Sequence, residues 1–131
     1  MTRLLFDTTF LIDAERAEGL DEVVGDDDDV AIAAVTLAVL RVGALLADAR
    51  RRAQRTAFVD DVAAVMPVVT YDIGVAEDHA VLLAEVQRQG RPRGAHDLMI
   101  AATARRTGRT VVTSDVSAFA DLPGIAVSTR G

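Results

Sequence analysis

Apolar positions along this chain come in two alternating kinds of run. Short continuous ones read as buried strands, and longer ones with an apolar residue every third or fourth position read as helices. Arg3–Phe6 is a first strand and Thr8–Arg16 a helix after it. Gly19–Gly25 reads as a short helix or turn, and the four aspartates at 26–29 as a solvated loop before a strand at Val30–Ala33. A helix is expected over Val35–Ala47, with Leu37, Leu40, Ala44 and Leu45 as its buried stripe. A more polar helix over Ala49–Val65 ends at Pro67, and Val68–Thr70 is a short strand. Asp72 is placed to cap a helix over Ile73–Gln89, with a stripe of Ile73, Ala76, Ala80, Leu83 and Val86. Gly90 stops that helix, RPRG at 91–94 turns the chain, and Ala95–Thr107 is a strongly apolar helix closed by Gly108. Thr110–Thr113 is a strand, SDVSAF starts a short helix, and Ile125–Ser128 is an edge strand.

Alternating strands and helices predict an α/β fold, a central mainly parallel sheet flanked by helices. Such folds bind ligands in the crevice beyond the carboxyl ends of their strands. With 131 residues, positions 1–131 are expected to form a single domain. No apolar run approaches the roughly 20 residues of a membrane span, and Asp7 interrupts any signal-like start. The expectation is a cytoplasmic protein with no membrane association.

Composition narrows the chemistry. There is no cysteine, which excludes disulfides, thiolate metal sites and cysteine nucleophiles. All fourteen basic residues are arginine, so a P-loop and the phosphoryl-transfer folds that rely on a lysine are disfavoured. A net charge of −6 and a pI near 4.8 argue against non-specific nucleic-acid binding unless the arginines are gathered. Arg50, Arg51, Arg52 and Arg55 read as a solvated face, as do Arg105, Arg106 and Arg109. Arg91 and Arg93, just before the Ala95 helix, are the better candidates for contacting an anionic ligand.

Three acids stand where an apolar element begins or ends: Asp7 after the first strand, Asp115 after TVVT, and Asp97 at the head of HDLMIAATA. Each has an ordinary structural role open to it, as a helix cap or a charge favoured by a helix N-terminus. Gathered in one crevice, they would repel each other unless a hard cation neutralised them. An all-carboxylate set suits Mg²⁺ or Mn²⁺ better than zinc.

LLFDTTFLID, TLAVLRVG, RGAHDLMIAATA and VVTSDVSAF, in this order and spacing, resemble the PIN domain. More narrowly they are similar to the VapC ribonuclease toxins of bacterial type II toxin–antitoxin pairs, and the resemblance covers essentially the whole chain. It implies an Mg²⁺-dependent endoribonuclease, with Asp7, Asp97 and Asp115 as catalytic, metal-binding acids. The hydroxyls of Thr8, Thr113 and Ser114 would orient those carboxylates, or serve only as turn and cap residues. It also implies an RNA substrate, with Arg91 and Arg93 as the candidates to bind it, a homodimer, and a VapB-type antitoxin that inserts a segment towards the acids. The family pattern T-x-A-E-L-x-x-G is broken here, because Val39 stands at the glutamate position; Glu18, Glu22 and Asp48 are not placed to replace it. Two other readings stay open: a catalytically inactive module that binds antitoxin or RNA, and a related DNA nuclease.

Overall fold

The computed structural model describes residues 2–17 and 24–129, so most of the turn or helix expected at Gly19–Gly25 lies outside the described residues. Five strands, β1 (Thr2–Phe6), β2 (Asp28–Ala33), β3 (Val68–Val69), β4 (Thr110–Val112) and β5 (Val127–Ser128), form one sheet in the order β3-β2-β1-β4-β5. Every neighbouring pair is parallel. The helices are α1 (Thr8–Arg16), α2 (Ala34–Leu46), α3 (Ala49–Val65), α4 (Ile73–Gln89) and α5 (Ala95–Thr107).

Strand alternation sorts the core into two halves. Leu4 and Phe6 of β1, with Val30 and Ile32 of β2, meet Leu11, Leu40, Val59 and Val62 on one face. Leu5 and Ala31 point the other way, onto Val75, Leu82, Leu98 and Ala101. Helices α1, α2 and α3 therefore cover one side and α4 and α5 the other. Burial on both faces is why these strands read as continuous apolar runs.

The chain winds outward from β1 to β2 and β3, then crosses back to place β4 on the other side of β1. This reversal opens a crevice between the carboxyl ends of β1 and β4, where open α/β sheets bind their ligands. Phe6 pairs with Val112, so the next residues along, Asp7 and Thr113, enter that crevice side by side.

Some expectations need correction. In α4 the buried positions are Val75, Leu82 and Val86, while Ile73 is 82% exposed and Leu83 is exposed too. The helix is apolar on several faces, and packing against α5 selects a face rotated away from the expected stripe. In α2, Leu40 and Ala44 are buried but Leu45 is exposed; Thr36 takes the place the stripe gave to larger residues. Asp28 and Asp29 belong to β2 rather than to a loop. Arg109 is not on a solvated face. Its guanidinium reaches under the sheet to Leu4 O (3.2 Å), Asp29 O (2.7 Å) and the Asp29 carboxylate (3.1 Å). Arg105 likewise pairs with Asp78 at 2.9 Å and bonds Pro123 O.

Candidate active site

Asp7 leaves β1 in an extended conformation and caps α1, its Oδ1 accepting from Phe10 N–H at 2.9 Å. The ordinary role of a strand-end aspartate is thus real, but it uses only part of the carboxylate. Thr113, fully buried beside it, donates to Oδ2 at 2.6 Å, and Thr9 Oγ1 lies 3.0 and 3.1 Å from the two oxygens. Thr113 in turn accepts from Asp115 N–H at 2.9 Å, and Ser114 N–H points to Thr9 Oγ1 at 3.3 Å. One hydrogen-bond web therefore joins the end of β1 to the segment after β4.

Burial pushes the Asp7 carboxyl above its ordinary value of 3.8. Bonds from Thr113, Phe10 N–H and Thr9 oppose the shift, while the charge of Asp115 adds to it. Asp97 lies in the first turn of α5, capped only by the Gly94 backbone. Its carboxyl is also raised, first by burial and then by repulsion from Asp7 and Asp115, with His96 pulling the other way. An α-carbon substituent at Gly94 would sit 2.9 Å from Asp97 Oδ2, so the turn is shaped closely around this carboxylate. Asp115 is exposed and does not cap the short 3₁₀ turn Val116–Ala118; it accepts from Ser117 Oγ at 2.6 Å instead. The three acids are thus mutually repelling neighbours. Among the described residues, no three acids or histidines stand in a ready metal-holding arrangement, while the charges of Asp7, Asp97 and Asp115 are felt by one another.

The other candidates separate. Thr8 turns from the acids towards Thr36, its Oγ1 3.5 Å from that hydroxyl. Ser114 takes part through its backbone. The residue the sequence reading missed is Thr9, whose signal was a hydroxyl two positions after an aspartate, the spacing of a local side-chain turn. Val39 is half-buried one turn beyond Thr36 and lines a cavity of about 50 Å³ with Ile12, Leu40, Arg55 and Phe58. Arg93 is engaged inside the protein, donating to Ala120 O at 2.7 Å and Arg91 O at 3.1 Å. Arg91 is exposed and meets Asp121 at 3.4 Å.

A parallel sheet that gathers carboxylates at its topological reversal is the framework of an α/β enzyme with an acidic crevice. The PIN-domain family model matches residues 4–125. Ribonuclease VapC5 of Mycobacterium tuberculosis is 39% identical over 123 residues, 93% of this chain and 89% of that protein. The tRNA(fMet)-specific endonuclease VapC of Shigella flexneri is 34% identical over 72% of this chain and 70% of its own length. Among solved structures, DNA-bound VapBC from Salmonella typhimurium superimposes with a TM-score of 0.87 at 27% identity, covering 98% of both chains. VapBC-5 from M. tuberculosis gives 0.79 at 32% identity, over 97% of this chain and 98% of that one. The chain belongs to the PIN-domain family, on its VapC ribonuclease branch. PIN-domain ribonucleases generally use a divalent metal. No helix among the described residues is long and apolar enough to cross a membrane.

Proposed function

We propose that this chain is a VapC-type endoribonuclease toxin that hydrolyses RNA phosphodiester bonds at Asp7, Asp97 and Asp115. The observation that carries the reading is the buried Asp7 at the sheet reversal, with its charge coupled to both other acids. The donor set is all oxygen and its members repel each other. That fits Mg²⁺, with Mn²⁺ as a substitute, because Mg²⁺ takes one or two carboxylates and keeps several waters. Bound there, such an ion supplies an acidified water and offsets charge on the phosphoryl oxygens. Thr9, Thr113 and Phe10 N–H hold Asp7 in one orientation. The N-terminal dipole of α5 favours the charged form of Asp97, and Ser117 orients Asp115.

Position 39 bears on activity. Side chains on a helix lean towards its N-terminus, so a longer one here leans back towards Thr36 and Thr8, beside Asp7. Val39 brings no carboxylate to that approach. This supports a second reading, an inactive module that binds antitoxin or RNA without cutting. Val39→Glu is expected to lower the stability of the metal-free protein, by adding a like charge, and to tighten Mg²⁺ binding. Urea denaturation with and without Mg²⁺ checks both; movement in the opposite sense refutes the placement.

The deciding assay is RNA cleavage by purified, antitoxin-free protein in Mg²⁺, Mn²⁺ or EDTA, beside Val39→Glu. Metal-dependent cutting by the native sequence means three aspartates suffice. Cutting only by Val39→Glu identifies a disarmed nuclease. Silence from both removes the nuclease reading.

The natural partner in this proposal is a VapB-type antitoxin, which inhibits the toxin, and the working unit is a cytoplasmic homodimer of one-domain chains. Val42, Leu45 and Leu46 on α2 and Val65 on α3 are exposed and leave apolar surface for such contacts.

A further inference from the structure

Most arginines of this chain are answered by an acid or a carbonyl. Arg41 pairs with Asp60, Arg88 with Glu85, Arg105 with Asp78 and Arg109 with Asp29, while Arg93 meets two carbonyls. The pattern changes at the end of α1 and the first half of α3. There, among the described residues, Arg16, Arg51 and Arg55 have no carboxylate within ion-pair distance. They share one open trough of about 520 Å³, with Ile12, Glu15 and Gln54 completing its lining. Past Arg51 and Arg55 the trough continues to Gly43 and Leu46 of α2, and inward it meets the cavity beneath Val39. The nearby Asp48 carboxylate is occupied in capping α3 through Arg51 N–H at 3.0 Å.

In a protein of net charge −6, three guanidiniums without a carboxylate partner among the described residues outnumber the one acid of the lining, Glu15. They give this concavity a net positive charge that suits an anion with more than one charge. The trough is open along its length and carries Ile12 and Leu46 beside the arginines. It therefore suits a chain of phosphates bearing flat apolar groups better than a single small anion. Its nearer end, at Ile12, lies about 7.5 Å along α1 from Asp7 at the 1.5 Å rise per residue of a helix. Ile12 is one helical turn from Thr8, and Arg16 is about 13 Å along α1 from Asp7 at the same rise.

We propose that this trough seats the phosphodiester backbone of RNA as it leaves the acidic crevice, with Arg51 and Arg55 as phosphate contacts and Glu15 as a brake on affinity. The proposal rests on the ribonuclease reading but is tested without catalysis. The measurement is fluorescence anisotropy of a labelled single-stranded RNA with the full chain in EDTA, over a series of salt concentrations. Each phosphate contact adds about 0.7 to the slope of log affinity against log salt for single strands. Arg51→Gln/Arg55→Gln should therefore weaken binding and flatten the slope by about 1.4. Arg51→Lys/Arg55→Lys should keep the slope, Glu15→Gln should tighten binding, and Arg41→Gln/Arg88→Gln, which removes as much charge elsewhere, should leave the slope alone. An unchanged slope in the glutamine pair, equal flattening by the control pair, or no RNA binding by the native chain overturns the proposal. So does a glutamine pair that loses an acidic peptide such as polyglutamate while its RNA slope stands, which would mark a protein-binding surface. Absence of cleavage with the slope behaviour intact counts against the nuclease reading and leaves the trough standing.

Discussion

At the residue scale the acidic crevice is governed by hydroxyls as much as by carboxylates. Thr113 is fully buried, donates a hydrogen bond to Asp7 and accepts one from Asp115 N–H. Thr113→Val keeps the shape and leaves both partners short of a bond. Stranding a buried polar group costs about 1–3 kcal/mol, so urea denaturation should show a loss of that order. NMR titration should place the Asp7 carboxyl higher still, because a bond that lowers it has gone. An unchanged Asp7 titration would mean the hydroxyl does not hold the charge. The three acids were legible in the sequence because each interrupts or borders an apolar run. The choice of Thr9 over Thr8 was not. Adjacent residues on a helix point about 100° apart, and only the packing of α1 decides which hydroxyl faces Asp7 and which faces Thr36.

At the element scale the strands, the helix limits and the caps at Asp48 and Asp72 follow from local chemistry, and they were readable. Faces were less so. Helix α4 has apolar residues around much of its circumference, and no count of its own periodicity says which side α5 will cover. The fate of the arginines was also hidden, since an ion pair between distant residues leaves no local mark. Arg109 shows how much such a residue matters. It lies just beyond α5, and its bonds tie that end to β1 and β2. Arg109→Met should retain the buried stem but remove the bonds to Leu4 O and Asp29 O, and leave the Asp29 carboxylate only Arg3 at 3.6 Å. We expect a loss of about 2–3 kcal/mol, within the range for bonds made by charged groups, read as a lower denaturation midpoint. RNA affinity per folded molecule should be unchanged, because the residue is remote from the crevice.

For the whole molecule the acids set a pH dependence. Asp7 and Asp97 both titrate above their ordinary value of 3.8 when folded. The folded state therefore holds these protons more tightly than the unfolded chain does. The stability linked to them is fully present below the unfolded value and is lost as pH rises through the raised folded values. Metal-free protein should accordingly lose stability from these two groups over the weakly acidic range, and Asp97→Asn should remove its share of that loss. Thermal denaturation over a pH series rising from the ordinary value of 3.8 towards neutrality checks the sign. Mg²⁺ should offset the loss at the upper end by favouring the ionised, folded form. A native profile that rises with pH to the same degree as Asp97→Asn would contradict it.

The two ends of the sheet have different duties. At one end Arg109 clasps the bases of β1 and β2 from the foot of α5; at the other, β1 and α5 present Asp7 and Asp97. The parts that carry the acids are thus moored at the end where no acid of the crevice lies. A chain built this way can lose a charge from the crevice and still arrive at its shape, since nothing in the mooring senses the change. On the proposed reading, a valine at position 39 costs the architecture nothing, and the surface that meets a partner keeps its shape whether or not the crevice cuts.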